Sequence, residues 1–115
     1  MAKYECTLRA NLQTVMAAIE EGILKGSVSA SLEDRSDFTL GEGDAQCAVR
    51  VFERYSITGS NRVSLSVTVF GRGTDLYLSA ITAGGSQAVF LKFNTFGEET
   101  FLDALKEVLA GIPTD

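Results

Sequence analysis

Within residues 62–70, Arg-Val-Ser-Leu-Ser-Val-Thr-Val-Phe, polar and apolar side chains alternate without interruption up to Val69. Successive side chains of a β-strand point to opposite faces, so Val63, Leu65 and Val67 share one face while serine and threonine occupy the other. This pattern is typical of an antiparallel sheet that is covered on one face and open on the other. The rest of the chain must therefore supply neighbouring strands and a cover for the apolar face.

Further strands are predicted on both sides of this segment. They are residues 4–10, residues 27–40 (where Val28, Ala30 and Leu32 share a face), residues 45–57, residues 75–81 and residues 88–93. Glycine-containing turns at 41–44, 58–60, 71–73 and 84–85 separate the strands that follow residue 40. Turns of this length favour hairpins between consecutive strands.

Two amphipathic helices are predicted to cover the sheet. Asn11 is the predicted N-cap of the first, and Thr95 and Glu98 have the spacing of a capping box before the second. The apolar stripe of the first helix comprises Leu12, Val15, Met16, Ile19 and Ile23, and that of the second Phe101, Leu102, Leu105, Val108, Leu109 and Ile112.

The predicted fold class is α+β. We expect residues 1–115 to form a single domain with a single antiparallel sheet of five to six strands, in the order β-α-β-β-β-β-β-α, and both helices packed on one face. The predicted core comprises Leu12, Val15, Met16, Ile19, Val49, Val67, Leu78, Leu91, Leu102, Leu105 and Leu109.

The adjacent glycines Gly84 and Gly85 resemble part of a phosphate-binding loop. Such a loop requires a helix directly after the glycines, because the helix N-terminus supplies the N–H groups that hold the phosphate. The residues that follow, Ser-Gln-Ala-Val-Phe, are rich in strand formers and lack the rest of the motif. A two-residue hairpin turn is the better interpretation.

The registers that keep apolar side chains together also define the open face of the predicted sheet. They place Phe38 opposite Cys47, Val51 opposite Val67, Val69 opposite Leu76, and Leu78 opposite Leu91. The open face then brings together six candidate binding residues: Arg50, Phe52, Tyr77, Ser79, Phe90 and Lys92. Glu53 falls on the apolar face in this register, which indicates either the end of the sheet or a β-bulge near residues 52–55.

Three interpretations of this face remain open. It is a solvated surface, with Arg50 opposite Arg35 and with Glu33 and Asp37 on the diagonals. It is an interface between copies of the chain, since aromatic residues and arginine are enriched at interfaces. Or it is a small-molecule site, in which the Arg50 and Lys92 side chains hold an anionic group. We expect a binding or interaction module that forms homo-oligomers, with binding of a small anionic or aromatic ligand as the alternative.

Composition excludes several function classes. The 15 acidic and 10 basic residues give a net charge of −5, which argues against a nucleic-acid partner. The chain has no histidine, the usual general base and the commonest metal ligand. We therefore expect no catalytic residues, no metal site and no cofactor, and we do not expect an enzyme.

The pattern of apolar residues also bears on location. No segment approaches the roughly 18 apolar residues of a membrane span, and residues 1–13 lack the apolar region of a signal peptide. We expect a cytoplasmic protein with no membrane partner, in which Cys6 and Cys47 are reduced.

Two segments carry a resemblance to a known family. Residues 4–24 (YECTLRANLQTVMAAIEEGIL) and residues 81–105 (ITAGGSQAVFLKFNTFGEETFLDAL) resemble a family of small bacterial single-domain proteins of unknown function. The resemblance contains no catalytic signature and implies no activity. The order of elements is also similar to an abbreviated helix-grip fold, whose larger members bind apolar ligands between the sheet and the terminal helix. This chain has fewer strands, and its terminal helix uses its apolar stripe for the core.

Overall fold

Seven helices and strands build the described part of the chain, in a computed structural model of the protein. The structure describes residues 1–56, 61–84 and 91–112, and for residues 91–96 it describes the backbone only. The elements are β1 (Ala2–Arg9), α1 (Leu12–Gly26), β2 (Ser31–Leu40), β3 (Ala45–Tyr55), β4 (Arg62–Arg72), β5 (Asp75–Gly84) and α2 (Leu91–Ala110).

The strands form one antiparallel sheet in the order β1-β5-β4-β3-β2. The first strand, which the sequence does not place, pairs with β5 and forms one edge. The second strand forms the other edge. The predicted α+β class and its antiparallel sheet are confirmed, with five strands in the part of the chain that the structure describes.

The sixth strand predicted over residues 88–93 is wrong where the structure describes it. Leu91 begins α2, and residues 88–90 lie outside the described residues. Gly84 ends β5, while Gly85, the other half of the predicted hairpin turn, also lies outside them. A short apolar run does not distinguish a strand from a buried helical turn by periodicity alone.

Thr95 and Glu98 do not form the predicted capping box, because both lie inside α2. The Glu98 carboxylate is buried and accepts a hydrogen bond from the Gly84 backbone N–H at 2.7 Å. Glu98 therefore ties the helix to the end of β5. At the other helix, the Asn11 side chain accepts a hydrogen bond from the Thr14 N–H at 3.2 Å, so the predicted N-cap of α1 is confirmed.

The edge strand β2 begins later than predicted. Residues 27–30 form a turn in which the Ala30 N–H donates to the Ser27 carbonyl, and Val28 is fully exposed. The pairing of β2 with β3 shifts between Leu32 and Asp34, which marks a β-bulge at Glu33. The bulge considered near residues 52–55 is not on β3, whose pairing with β4 is regular through Tyr55, and Glu53 lies on the open face.

Of the predicted strand registers, one is confirmed and one is shifted by two residues. Phe38 is opposite Cys47, as predicted. Val69 is opposite Leu78 rather than Leu76, because residues 73–74 alone form the turn between β4 and β5. This shift of two residues leaves every side chain on its predicted face.

The register between β3 and β4 is wrong by a single residue, and the consequence is large. Val67 is opposite Arg50 instead of Val51. Because side chains alternate, a one-residue shift exchanges the two faces of β3. Val49 and Val51 therefore lie on the open face, while Arg50 and Phe52 lie beneath the helices.

Both helices pack on the face that carries Leu65, Val67 and Leu78, and the three side chains are fully buried. The predicted stripe of α1 is confirmed, since each of its apolar residues is buried. Of the other predicted core residues, Leu102 and Leu105 are buried and Leu109 is half-buried, whereas Val49 lies on the open face. The Leu91 side chain lies outside the described residues.

Candidate functional site: the open face of the sheet

The structure separates the six candidate binding residues. Tyr77 and Ser79 lie on the open face, as predicted. Arg50 and Phe52 lie on the helix-covered face, with exposed fractions of 3% and 0%, so their predicted place on the open face is wrong. Phe90 and the side chain of Lys92 lie outside the described residues. The predicted grouping of cations, phenol and aromatic rings is therefore not assembled on one surface.

Arg50 is held under α1 by two carboxylates. Its Nε donates to Glu20 Oε2 at 2.6 Å, and its two terminal nitrogens donate to the Asp37 oxygens at 2.8 and 3.3 Å. Burial disfavours the charged guanidinium, but the hydrogen bonds to Asp37 and Glu20 outweigh that effect and raise the pKa of Arg50. Arg35 is opposite Arg50, as predicted, but on the helix-covered face. Of the two acids predicted on the diagonals, Asp37 holds Arg50 and Glu33 pairs with Arg62.

A groove of about 550 Å³ lies between α1 and the strands β2 and β3, and Arg50 lines it. The other polar residues that line it include Gln13, Thr39 and Gln46. Each nitrogen of the Arg50 guanidinium already donates to a protein oxygen. An anion that entered the groove would have to compete with carboxylates for this side chain.

The open face is apolar at its centre and at the end that carries Phe38, Leu40 and Phe70. Phe70 and Phe38 are in the same cross-strand row as Cys47, and their exposed fractions are 47% and 52%. The Phe70 ring contacts the Tyr77 ring, with 5.3 Å between the ring centroids. Further apolar side chains of this face are Leu40, Ala45, Val49, Val51, Tyr55 and Ile81. Large apolar areas of this kind mark interaction surfaces on many proteins.

The charged residues of the open face lie mainly at its edges and ends. Within the described chain, the basic ones are Lys3, Arg9, Arg62 and Arg72, and the acidic ones are Glu5, Glu33, Asp34, Glu53 and Asp75. Arg9 pairs with Asp75 at 3.0 Å, and Arg62 pairs with Glu53 at 2.7 Å. Four others, Lys3, Glu5, Asp34 and Arg72, form no ion pair with any described residue.

Tyr77 and Cys47, two neutral titratable side chains of this face, have raised pKa values. Burial and a hydrogen bond with Glu5 raise the pKa of Tyr77, so its phenol is neutral at pH 7. Burial also raises the pKa of the Cys47 thiol, and nearby Asp37 adds to the effect. Neither group has the lowered pKa of an activated nucleophile.

Neither a cluster of metal ligands nor a helix suited to crossing a membrane is present among the described residues. No group of three or more Cys, Asp or Glu side chains there is arranged to hold a metal ion. Neither of the helices combines the length with the apolar character that a membrane crossing requires, as far as the described residues extend.

Sequence reasoning missed Phe38, Leu40 and Phe70 as parts of the candidate surface. A signal was present for Phe70, which continues the polar side of its alternating strand while being apolar itself. Phe38 and Leu40 alternate in the sequence in phase with Leu32, which packs against the core, and the β-bulge at Glu33 moves them to the open face. Val49 and Val51 were missed for another reason. The local pattern of β3 favours Val49 and Val51 as inward-facing residues. Only the Glu20 and Asp37 carboxylates, which hold Arg50, place the opposite face of the strand inward.

Comparison with known proteins gives one match. The sequence model of a family of unknown function, DUF6054, matches residues 1–113, so the chain belongs to that family. This confirms the predicted membership of a family without an assigned function. No curated protein and no solved structure matches the chain.

Proposed function

We propose that this protein is an interaction module that self-associates through the open face of its sheet. The observation that carries the proposal is the exposed apolar area around Phe38, Leu40 and Phe70, on a sheet whose other face is already covered by helices. Burial of such an area in a complex is favourable by about 25 cal/mol per Å².

The dimensions of the face also support the proposal. Five strands spaced by about 4.8 Å, over about eight residues of 3.3 Å, span roughly 24 by 27 Å. That footprint is about 650 Å² before side-chain relief is added, and a standard stable interface buries about 800 Å² per partner. The open face therefore has the area of a complete interface.

The substitution Phe70→Asp tests the proposal. Phe70 is on the central strand, and its ring is half exposed. A carboxylate there would be buried without a partner in any complex that uses this face, so we expect the dissociation constant of the self-complex to rise about 30-fold or more. The measurement is the absolute mass in solution by light scattering over a wide range of protein concentrations.

Val28→Asp is the matched control, because Val28 is fully exposed and lies outside the sheet. The control should associate like the unsubstituted protein. A protein that is monomeric at every concentration, or a complex that Phe70→Asp leaves intact, would contradict the proposal.

We also propose a cytoplasmic setting in a bacterial cell. Both cysteines in the described chain are free thiols, as expected in a reducing compartment. Fractionation of cells that express the tagged protein tests this proposal, and recovery of the protein outside the cytoplasm would contradict it.

A further inference from the structure

The positions of side chains on the open face indicate how two copies fit together. Apolar residues lie on both sides of the central strand β4, with Tyr77 and Ile81 on β5 and with Cys47 and Val51 on β3. Strands β1 and β2 are the outer borders; β1 presents polar side chains to this face, whereas β2 presents Asp34 and Ser36 together with Phe38 and Leu40. A rotation about an axis parallel to β4 places β5 of one copy on β3 of the other, and β1 on β2.

One row of side chains shows this complementarity most clearly. Lys3, Ile81, Ser66, Val51 and Asp34 follow one another across the sheet from β1 to β2. After the rotation, Ile81 faces Val51 of the second copy, and Lys3 faces Asp34 of the second copy. Lys3 and Asp34, the two outer charges of this row, have no ion-pair partner among the described residues, and they meet each other twice in the complex.

From these positions we infer that the partner is a second copy of the chain, stacked face to face about a two-fold axis parallel to β4, with Lys3 of each copy paired with Asp34 of the other. This inference rests on the proposed function. Stacked sheets are about 10 Å apart, a distance that a lysine and an aspartate side chain can bridge together.

The remaining charges lie at the ends and edges of the face, where the rotation places the Arg9 side chain over Leu40 of the second copy. Aligned sheets cross at about 30°, so Arg62 and Arg72, at the two ends of β4, are displaced sideways from their own copies. Arg62 also has the Glu53 carboxylate of its own chain. Repulsion between separated, solvent-exposed charges is small beyond a Debye length of about 8 Å.

The other in-plane two-fold axis, perpendicular to the strands, fits the face less well. It would place β2 on β2 with the ends exchanged, so that Phe38 would face Asp34 of the partner copy and Leu40 would face the end that carries Glu33. Burial of carboxylates against apolar side chains is unfavourable. The axis parallel to β4 leaves Phe38 over Thr7 instead of over the unpaired Asp34. The acids that it places over apolar residues, Asp75 over Ala45 and Glu53 over Ala83, each have an arginine partner in their own chain.

Charge reversal tests the arrangement. Lys3→Glu alone and Asp34→Lys alone each create like-charge pairs, so we expect each single variant to dimerise about tenfold more weakly. The doubly substituted chain restores two opposite-charge pairs, so its dissociation constant should return to within about threefold of the original. Sedimentation equilibrium measures all four constants.

A mixture of the two single variants provides a second readout. A complex of one Lys3→Glu chain with one Asp34→Lys chain contains two opposite-charge pairs, whereas each homodimer contains two like-charge pairs. Native mass spectrometry of an equimolar mixture should therefore show more than the statistical half of heterodimer. Lys3 and Asp34 are both exposed, so the variants should fold normally, which circular dichroism verifies.

The outcomes of these experiments distinguish the proposed self-association from the inferred two-fold axis. If Phe70→Asp disrupts the dimer but the double reversal does not restore affinity and heterodimer stays at the statistical level, the face is the interface and the inferred axis is wrong. If no dimer forms at any concentration, the proposed function fails, and the inference fails with it. Restoration by the double reversal, together with excess heterodimer, supports both.

Discussion

Arg50 joins three elements through one side chain. It extends from β3, and the carboxylates that hold it come from α1 and from β2. A charged group can be buried only where hydrogen bonds replace its water, and here each guanidinium nitrogen has a protein acceptor. The side chain therefore determines which face of β3 is inward.

Removal of the Arg50 guanidinium should destabilise the fold. We expect Arg50→Met to lower the free energy of unfolding by about 2–4 kcal/mol, because Glu20 and Asp37 lose their shared cation and lie beside an apolar chain. Urea denaturation at pH 7 and a fixed protein concentration measures the effect.

Arg35→Met is the control for this prediction. Arg35 lies opposite Arg50 in the sheet, but more than half of its side chain is exposed, so its removal should cost less than about 0.5 kcal/mol. An equally small cost for Arg50→Met would show that Arg50 is not held in the buried cluster.

At the scale of elements, a glycine of α1 lies directly against α2. A Cβ atom added to Gly22 of α1 would lie 2.4 Å from a methyl carbon of Val108 in α2. Glycine in the middle of a helix normally costs up to about 1 kcal/mol relative to alanine. Here that cost allows the helices to pack side by side on the sheet.

Gly22→Ala should therefore destabilise the protein in spite of the better helix propensity of alanine. Overpacking of a core costs about 1–3 kcal/mol, which exceeds the propensity gain. Gly26→Ala is the matched control, since nothing lies within 4 Å of the added Cβ at the end of the same helix. Thermal unfolding compares the two, and a higher melting temperature for Gly22→Ala would show that the helices can move apart.

The elements also show how far sequence reasoning extends. Local signals predicted what local physics determines: the Asn11 cap, the α1 stripe and the pairing of Phe38 with Cys47. The inward face of β3 depends on partners 13 and 30 residues away from Arg50, so no local pattern could identify it. The candidate surface was thus predicted on the correct face of β5 and on the wrong residues of β3.

At the scale of the whole molecule, charge is distributed unevenly between the open face and the rest. The open face carries four basic and five acidic residues among the described ones, whereas the chain as a whole has a net charge of −5. Most of the acidic surplus therefore lies away from the proposed interface. Two copies can approach through this face with less repulsion than through the remaining surface.

Global stability should depend on pH through Asp37. Hydrogen bonds from Arg50 lower the pKa of Asp37, although burial partly opposes the effect. A carboxyl group with a lowered pKa in the folded state stabilises the fold above its ordinary pKa of about 4, and that contribution is lost as the pH falls through the lowered value.

The comparison with Asp37→Asn isolates this contribution. From pH 7 to about 5 the variant should be less stable by a constant amount, and below about pH 4 the difference should shrink as the wild-type carboxylate is protonated. Urea denaturation at a series of pH values measures both proteins. A difference that persists unchanged down to about pH 2.5 would contradict the prediction.

The β-bulge at Glu33 has a consequence for the size of any assembly. A regular edge strand offers unpaired N–H and C=O groups to further strands, and chains that join by their edges can grow without limit. In β2 the bulge interrupts that template, and the charged Asp34, Arg35 and Asp37 follow it directly. Stacking through the open face, in contrast, is complete when two copies have met, because the same surface is used by both. The irregular edge thus favours a closed pair over a fibre.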